Sequence, residues 1–256
     1  MGNKILSVVI PTLQRKKEIL YKLINSLTEE ECVGEIIIID NSLRGIDLEN
    51  KKLRVVIPKE NLYVNPSWNL GVEIAKNDII ALMNDDISIP KNFCRDVVNQ
   101  MNHNMGIVGV NSANYILALE EINTQPMNTN PVLKKTNYMD YYYGTAMFFY
   151  KEAYSKIPDE IKIVYGDVWI FEQAKKARRI NYKIENQIIY HIGSLSSSDK
   201  RVSPICKNDA KIFKQKFVKW YNRLFSYEYL WDGFKVRFLG ITIKFKNRKA
   251  KGYCNE

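Results

Sequence analysis

The sequence predicts an α/β fold: a mainly parallel sheet flanked by helices, with a basic amphipathic appendage at its carboxyl end. In the first hundred residues, short and nearly all-apolar runs alternate with helical patterns, which is typical of parallel strands buried on both faces. Several of these runs stop at polar turn residues, and ligands bind at the carboxyl ends of such strands. The net charge of +10 is concentrated after residue 199.

Charge divides the chain into two parts. From residue 200 onward there are 15 Lys and Arg against 4 Asp and Glu, so that residues 200–256 carry +11 and residues 1–199 carry −1. With 46% hydrophobic residues, the near-neutral part can bury a core of its own. We therefore expect one domain over residues 1–199, with halves of about 1–105 and 106–199, and a basic segment over residues 200–256.

The cysteines and the apolar runs indicate a cellular location. Cys32, Cys94, Cys206 and Cys254 lie far apart and form no Cys-x-x-Cys pair, which favours reduced thiols in the cytoplasm. The run Ile5–Ile10 is too short for a signal peptide, and no run approaches the roughly 18 apolar residues of a membrane span. We expect a cytoplasmic protein.

The elements of the first half follow from apolar periodicity and turn residues. Strands are predicted at Leu6–Ile10, Glu35–Ile39, Leu53–Ile57 and Asp78–Met83. Helices are predicted after the caps Thr12 and Asn65, and from Pro90. The first helix places four apolar side chains on one face: Ile19, Leu20, Leu23 and Leu27.

The pattern loosens in the second half. Ile107–Val110 and Thr145–Tyr150 are predicted strands, whereas residues 111–140 are polar and without a period, which indicates an irregular excursion. Asp167 is a candidate cap of a helix, and Tyr182–Tyr190 alternates like a strand that ends at His191.

Two strand ends carry acidic residues. Asp85 and Asp86 are adjacent carboxylates that repel each other, and a Mg²⁺ or Mn²⁺ ion relieves that repulsion. Asp40, after four isoleucines, can accept hydrogen bonds from a base or ribose. For both sites the alternative is an ordinary turn in which the carboxylates bond to nearby backbone N–H groups.

The order of these features closely resembles that of family 2 glycosyltransferases. The resemblance covers residues 5 to about 195 and rests on the motifs Ser7–Thr12, Ile36–Ser42, Asn61-Leu62 to Asn69-Leu70-Gly71, and Ile79–Asp86. It implies the GT-A fold and transfer of a sugar, with inversion, from a nucleotide-diphosphate sugar. No Gly-x-Gly-x-x-Gly, P-loop or glycine-rich first turn supports another nucleotide-binding fold.

The resemblance also implies roles for individual residues. The nucleotide would contact residues of four motifs: Pro11, Thr12, Asp40, Asn69, Asn84 and Asp85. Asn84-Asp85-Asp86 takes the place of the family's Asp-x-Asp motif, so Asp86 would hold the Mn²⁺ or Mg²⁺ that bridges the diphosphate, with His191 as a second contact. His191 is otherwise a structural histidine.

On the acceptor side, the segment Gly144–Met147 resembles the one that precedes the family's catalytic acid. Gly166-Asp167 takes the place of the usual Glu-Asp pair, which implies that Asp167 is the general base and leaves Glu172 in reserve. The departures at Asn84 and Gly166 keep open a catalytically silent, sugar-binding relative.

The basic segment suits an anionic membrane surface. A helix is predicted with an aromatic face, formed by Phe213, Phe217, Trp220, Leu224 and Trp231, and a small hairpin over Phe234–Phe245. The alternatives are a helix packed on the domain and a nucleic-acid-binding segment; acidic strand ends argue against nucleic acid. We expect a peripheral enzyme at the inner face of the cell membrane, with a saccharide or lipid-linked acceptor, in bacterial surface-polysaccharide or lipopolysaccharide synthesis.

Overall fold

The computed structural model describes residues 4–110, 115–117, 130–139, 143–187, 189–191, 203–217, 225–230, 233–238 and 241–246. Contacts divide the chain into two compact units, Met1–Asp209 and Ala210–Glu256. The division falls inside a helix and not at residue 199, where the charge changes.

The larger unit alternates strands and helices. Its described strands are β1 (Leu6–Thr12), β2 (Val33–Asp40), β3 (Leu53–Val56), β4 (Ile79–Met83), β5 (Ile87–Ser88), β6 (Met105–Val110), β7 (Tyr115–Leu117), β8 (Val132–Thr136), β9 (Ala146–Tyr150), β10 (Ile180–Glu185) and β11 (Ile189–His191). The described helices are α1 (Lys17–Glu29), α2 (Val64–Ile74), α3 (Phe93–Gln100), α4 (Gly166–Lys176) and α5 (Ser203–Lys216), the last of which continues into the smaller unit.

Eight of these strands form one sheet in the order β3-β2-β1-β4-β9-β6-β10-β8. β1, β2, β3 and β4 pair in parallel, as do β6 and β10. β9 runs antiparallel between β4 and β6, and β8 runs antiparallel to β10. The predicted mainly parallel α/β sheet is confirmed.

The sheet forms because its central strands are apolar on both faces. Every residue of β4, β6 and β9 is buried, so each strand needs cover above and below. α1 supplies part of that cover with five buried side chains: Ile19, Leu20, Leu23, Ile24 and Leu27. The predicted apolar face of this helix is confirmed.

Three lysines fix helix ends to distant parts of the larger unit. Lys52 donates from Nζ to the carbonyl oxygen of Glu30 after α1 (2.8 Å), and Lys151 donates to that of Ala75 after α2 (3.0 Å). Lys4 donates to carbonyl groups at the end of α3. Cations at these ends offset the partial negative charge that a helix carries at its carboxyl terminus.

A second sheet of three short strands, β5-β11-β7, stands beside the main one. β11 pairs antiparallel with β5, with His191 opposite Ile87, and parallel with β7. Because Ile87 directly follows Asp86, this pairing brings the end of β11 to the acidic turn after β4.

The predicted helix caps are wrong. Thr12 is the last residue of β1, and α1 begins at Lys17 without a side-chain cap. Asn65 lies inside α2, which follows Tyr63, and Asp167 lies inside the first turn of α4, which follows Tyr165. The two tyrosines have φ angles of 66° and 68°, so a residue of positive φ precedes each helix, and Tyr165 is in the left-handed α conformation.

Two other expectations differ in detail. Residues 111–140 contain strand segments, because β8 pairs along its whole length with β10 and β7 pairs with β11. The predicted strand Tyr182–Tyr190 is two strands, β10 and β11, separated by a turn at Asn186, whose φ is 61°. His191 does end the second of them.

Besides the end of α5, the described part of the smaller unit contains a three-stranded antiparallel sheet of β12 (Phe225–Leu230), β13 (Gly233–Phe238) and β14 (Ile241–Lys246). β13 and β14 form the predicted hairpin. The helix expected to reach Trp231 is wrong, because α5 ends at Lys216 and the period-two sequence of β12 pairs with β13. Trp220, Leu224 and Trp231 themselves lie outside the described residues.

Two further expectations from the sequence concern the cysteines and the hydropathy of the helices. Cys32, Cys94 and Cys206 are free thiols, and Cys254 lies outside the described residues. Among the helices that the structure describes, none combines the length and hydropathy needed to cross a membrane.

Candidate active site

The polar strand ends meet at one edge of the main sheet. Thr12, at the end of β1, lies opposite Asp40 at the end of β2 in the parallel register. β4 lies on the other side of β1 and runs directly into Asn84, Asp85 and Asp86. The structure therefore gathers most of the predicted donor-side residues, and Pro11 precedes them in β1.

Asp86 and His191 form an ion pair at this edge. Oδ1 of Asp86 lies 2.9 Å from Nε2 of His191, and both side chains are nearly buried. Nδ2 of Asn84 lies 3.5 Å from the same nitrogen. The pairing of β5 with β11 produces this contact between residues more than a hundred positions apart.

Asp85 is held beside this pair by Thr12. The hydroxyl of Thr12 donates to Oδ2 of Asp85 at 2.5 Å and also accepts the backbone N–H of Gln14 at 2.8 Å. Burial, and after it the charge of Asp86, raises the pKa of Asp85 to about 6. Two carboxylates that resist ionising together favour a cation beside them.

The Asp86–His191 pair fits a divalent ion. Oδ1 of Asp86 and Nε2 of His191 lie 2.9 Å apart, so both could contact one ion. Carboxylate oxygen suits Mg²⁺ and Mn²⁺, and imidazole nitrogen is a ligand of transition-metal ions. Across the described ranges no cluster of three or more His, Cys, Asp or Glu residues could hold a metal.

Asp40 is fully engaged by the chain itself. Its Oδ1 accepts from the N–H and hydroxyl of Ser42 (3.0 and 2.6 Å), and its Oδ2 accepts from Nε2 of Gln14 and the N–H of Gly45 (2.9 and 2.8 Å). Burial acts to raise the pKa of Asp40, but these hydrogen bonds outweigh it and lower the pKa. A bound base would have to displace one of these donors. Sequence reasoning missed Gln14, which carries no motif signal.

Asn69 makes a different contact from the one expected. Its Oδ1 accepts from the hydroxyl of Tyr154 (2.6 Å) and the N–H of Ile157 (2.9 Å), and its Nδ2 donates to the carbonyl of Ile157 (2.8 Å). The amide therefore bridges α2 and the segment after β9. The prediction that it binds nucleotide finds no support in these contacts.

Asp167 lies against Gly144. A Cβ atom added to Gly144 would meet Oδ2 of Asp167 at 2.6 Å, so the carboxylate occupies space that only a glycine leaves. Burial raises the pKa of Asp167, and the hydrogen bond from the N–H of Val168 opposes this only in part. A carboxylate with a raised pKa is a stronger base than an ordinary aspartate.

The turn Tyr143–Thr145 joins the two sides of the site. The buried hydroxyl of Tyr143 donates to carbonyl oxygens of Ile107 in β6 (2.6 Å) and Tyr182 in β10 (2.9 Å). The carbonyl of Thr145 accepts the N–H of Asn84 at 3.1 Å. The same turn thus contacts Asp167 through Gly144 and the acidic turn after β4 through Thr145.

A sequence model of glycosyl transferase family 2 matches residues 7–175, which contain the acidic turn and Asp167. The chain belongs to this family. A comparison with curated proteins finds no match.

Solved structures with the same fold include three informative neighbours. S. aureus TarS 1-349 shares 13% identity at a TM-score of 0.52, covering 86% of this chain and 77% of that one. The same protein in complex with UDP-GlcNAc shares 14% identity at a TM-score of 0.55, covering 86% of this chain and 69% of that one. GalNAc-T7 with UDP, GalNAc and Mn²⁺ shares 12% identity at a TM-score of 0.60, covering 83% of this chain and 48% of that one. These neighbours are GT-A glycosyltransferases, and the likeness shows that this family 2 chain has the GT-A fold.

Gly166 departs from the family's acidic pair for a steric reason. A Cβ atom on Gly166 would overlap Oδ1 of Asn65, a completely buried residue. Asn65 cannot turn away, because its Nδ2 donates to the carbonyls of Ile161 (3.1 Å) and Val164 (3.2 Å). No side chain fits at residue 166 while Asn65 keeps these bonds.

Glu172, the reserve base, points elsewhere. Its carboxylate lies 3.1 Å from Nζ of Lys175, and 46% of its side chain is exposed. Asp167 is the acid that contacts Gly144, and so it remains the candidate base of this family 2 site.

We expect Gly166→Ala to lower the free energy of unfolding by about 1–3 kcal/mol, the usual cost of forcing an extra carbon into a packed site. Thermal or denaturant unfolding measures it. In an Asn65→Ser background the penalty should shrink, because the overlapping oxygen is gone. An equal penalty in both backgrounds would show that Asn65 is not the obstacle.

Proposed function

We propose that the chain transfers a sugar, with inversion, from a nucleotide-diphosphate sugar to a hydroxyl of a saccharide or lipid-linked saccharide. One observation carries the proposal. The turn Tyr143–Thr145 contacts Asp167, a half-buried carboxylate of raised pKa, on the acceptor side and the Asp86–His191 turn on the donor side. A basic group and an ion-binding pair in one site suit displacement of a nucleoside diphosphate by a hydroxyl.

On the donor side, Asp86 and His191 would hold Mn²⁺ or Mg²⁺. The bound ion would neutralise the charge that develops on the leaving diphosphate. Asn84 and Asp85 lie in the same turn, and Thr12 orients Asp85. Support for a nucleotide-sugar donor comes from the family and from the neighbours solved with UDP-GlcNAc and with UDP and Mn²⁺.

On the acceptor side, Asp167 would take the proton from the attacking hydroxyl. Its position at the start of α4, against Gly144, leaves one carboxylate oxygen bonded to the N–H of Val168. The deprotonated hydroxyl oxygen would attack the anomeric carbon on the face opposite the diphosphate, which leaves with its bonding electron pair. Attack from that face gives inversion. No covalent sugar–protein intermediate is needed.

The smaller unit would bring the enzyme to an anionic membrane. Phe238 and Ile241 face each other in the β13–β14 register and are 57% and 67% exposed, and Ile243 and Phe245 on β14 are also exposed. Lys235 pairs with Lys244 one register position away, and so belongs to the opposite face of this sheet. An exposed apolar face in a segment that carries a net charge of +11 suits the headgroup region of anionic lipid.

This attachment favours an acceptor held on a lipid carrier. We therefore place the enzyme at the inner face of the cell membrane, in synthesis of a bacterial cell-surface polysaccharide or lipopolysaccharide. Ligand-induced stabilisation of the folded state can identify the donor sugar and its base among nucleotide sugars.

Asp86→Ala is expected to abolish Mn²⁺-dependent donor binding and transfer while the protein stays folded, because it removes one of the two protein ligands. UDP-, dTDP- and GDP-sugars are screened by thermal shift with and without Mn²⁺, and the best donor is then assayed. Asp47→Ala, which removes an exposed carboxylate, is the control. Undiminished Mn²⁺-dependent binding by Asp86→Ala would contradict the metal site.

Asp167→Asn is expected to lower kcat about 10²–10⁴-fold with little change in donor affinity, because it removes the general base. The raised pKa of Asp167 means that the carboxylate is lost on acidification at a pH above the usual value of about 3.9. The acidic limb of the wild-type kcat profile should therefore lie above that value and should disappear in the variant. Glu172→Gln is the comparison; a larger loss there would overturn the assignment.

The full-length protein is expected to sediment with anionic vesicles at low salt, to be released as salt rises, and to ignore neutral vesicles. Each basic residue near the surface contributes about 1 kcal/mol. Replacing Ile241 and Ile243 by Ser should weaken binding without altering donor hydrolysis. Failure to bind vesicles combined with tight binding of single-stranded RNA would favour a nucleic-acid-binding role for the basic segment.

A further inference from the structure

The segment Ile161–Tyr165, which leads into α4, is held on one side by Asn65. The N–H of Asn65 donates to the carbonyl of Lys162 at 2.9 Å, and its Nδ2 donates to the carbonyls of Ile161 and Val164. Three carbonyl groups of this short segment therefore bind a single buried residue of α2.

The opposite side of the segment is held by Asp209 of α5. Its Oδ1 accepts the N–H of Lys162 at 3.1 Å, and its Oδ2 accepts those of Ile163 and Val164 at 2.7 and 3.1 Å. The Asp209 side chain has no exposed surface. The larger unit ends at this residue.

A carboxylate suits this position for an electrostatic reason. Burying a charge is costly unless it is compensated, and three backbone N–H groups directed at one carboxylate provide that compensation. Successive N–H groups that converge in this way form an anion-binding concavity. An amide in place of the carboxylate would direct an N–H group at these donors or leave one of them unbonded.

The clamped segment sets the position of Asp167. Tyr165, the last residue of the segment, is in the left-handed conformation, with φ of 68°. Its carbonyl accepts the N–H of Trp169 in the first turn of α4. Asp167 lies in that turn, against Gly144. A shift of the Ile161–Tyr165 backbone would therefore move the carboxylate relative to Gly144.

We propose that Asp209 is a positioning residue for Asp167: it clamps the Ile161–Tyr165 backbone against Asn65 and so fixes the first turn of α4. The inference rests on the proposed role of Asp167 as general base. Asp209 contacts neither Asp167 nor the acidic turn in its described hydrogen bonds, and it acts through the backbone alone.

The alternative is that Asp209 only anchors α5 to the larger unit. The two possibilities differ in what a substitution changes. An anchor affects stability and leaves kcat of the folded protein as it was. A positioning residue lowers kcat, leaves the donor KM nearly unchanged, and loses its effect once Asp167 no longer acts as a base.

The experiment compares full-length wild type, Asp209→Asn, Asp167→Asn and the double variant, with Asp47→Asn as a control that neutralises an exposed carboxylate. We expect Asp209→Asn to lower kcat about 10²-fold, since misplacing a reacting group by about 1 Å has this effect. The donor KM should change less than about threefold on the same argument. In the Asp167→Asn background the second substitution should add almost nothing.

Hydrogen exchange gives a readout that does not depend on activity. The amides of Lys162, Ile163 and Val164 should exchange faster in Asp209→Asn, while those of β1 and β4 should not. If wild type transfers no sugar, the proposed function fails, and the exchange result alone still tests the clamp.

Two outcomes would overturn the inference: unchanged exchange at residues 162–164, or a loss of kcat that is equally large with and without the Asp167 carboxylate. Should Asp209→Asn not fold, Asp209→Glu replaces it, because that variant keeps the charge and lengthens the side chain by one methylene. It should keep the fold and the donor KM and still lower kcat. A wild-type kcat in Asp209→Glu would contradict positioning.

Discussion

The site depends on one antiparallel strand and the turn that precedes it. β9 is inserted between β4 and β6, so the turn Tyr143–Thr145 begins at the edge where the acidic turn ends β4. The buried hydroxyl of Tyr143 bonds to two strands at once and holds the turn to the sheet. Both halves of the site take their positions from this turn, because Gly144 contacts Asp167 and Thr145 bonds to Asn84.

The features that local sequence determines were predicted well. A strand whose residues are all apolar has to be covered on both faces. β1, β2 and β4, and the polar residues that end them, could therefore be predicted from the local order of apolar and polar residues. The pairing of Asp86 with His191 depends on β5 meeting β11 across more than a hundred residues. No periodicity encodes such a contact, and only the family resemblance pointed to it.

The polar residues inside the larger unit were the hardest to predict. Asn65, Asn69 and Asp209 have the local signals of a cap, a motif residue and a surface acid, yet each bonds to backbone groups far away in sequence. Partners of this kind depend on how elements pack. The step in charge at residue 199 likewise does not coincide with the division between the two units, because Asp209 still belongs to the larger one. A chain shortened at residue 199 would lose that carboxylate.

The overlap between residues 65 and 166 also constrains how this sequence can change over evolution. An acid at position 166 and the present Asn65 rotamer exclude each other, because they need the same volume. An acid at residue 166 therefore costs stability while Asn65 is in place, and a smaller residue 65 relieves that cost only by giving up the bonds to Ile161 and Val164. Residues 65 and 166 are thus energetically coupled, so that the order in which the two are substituted decides how stable the intermediate is.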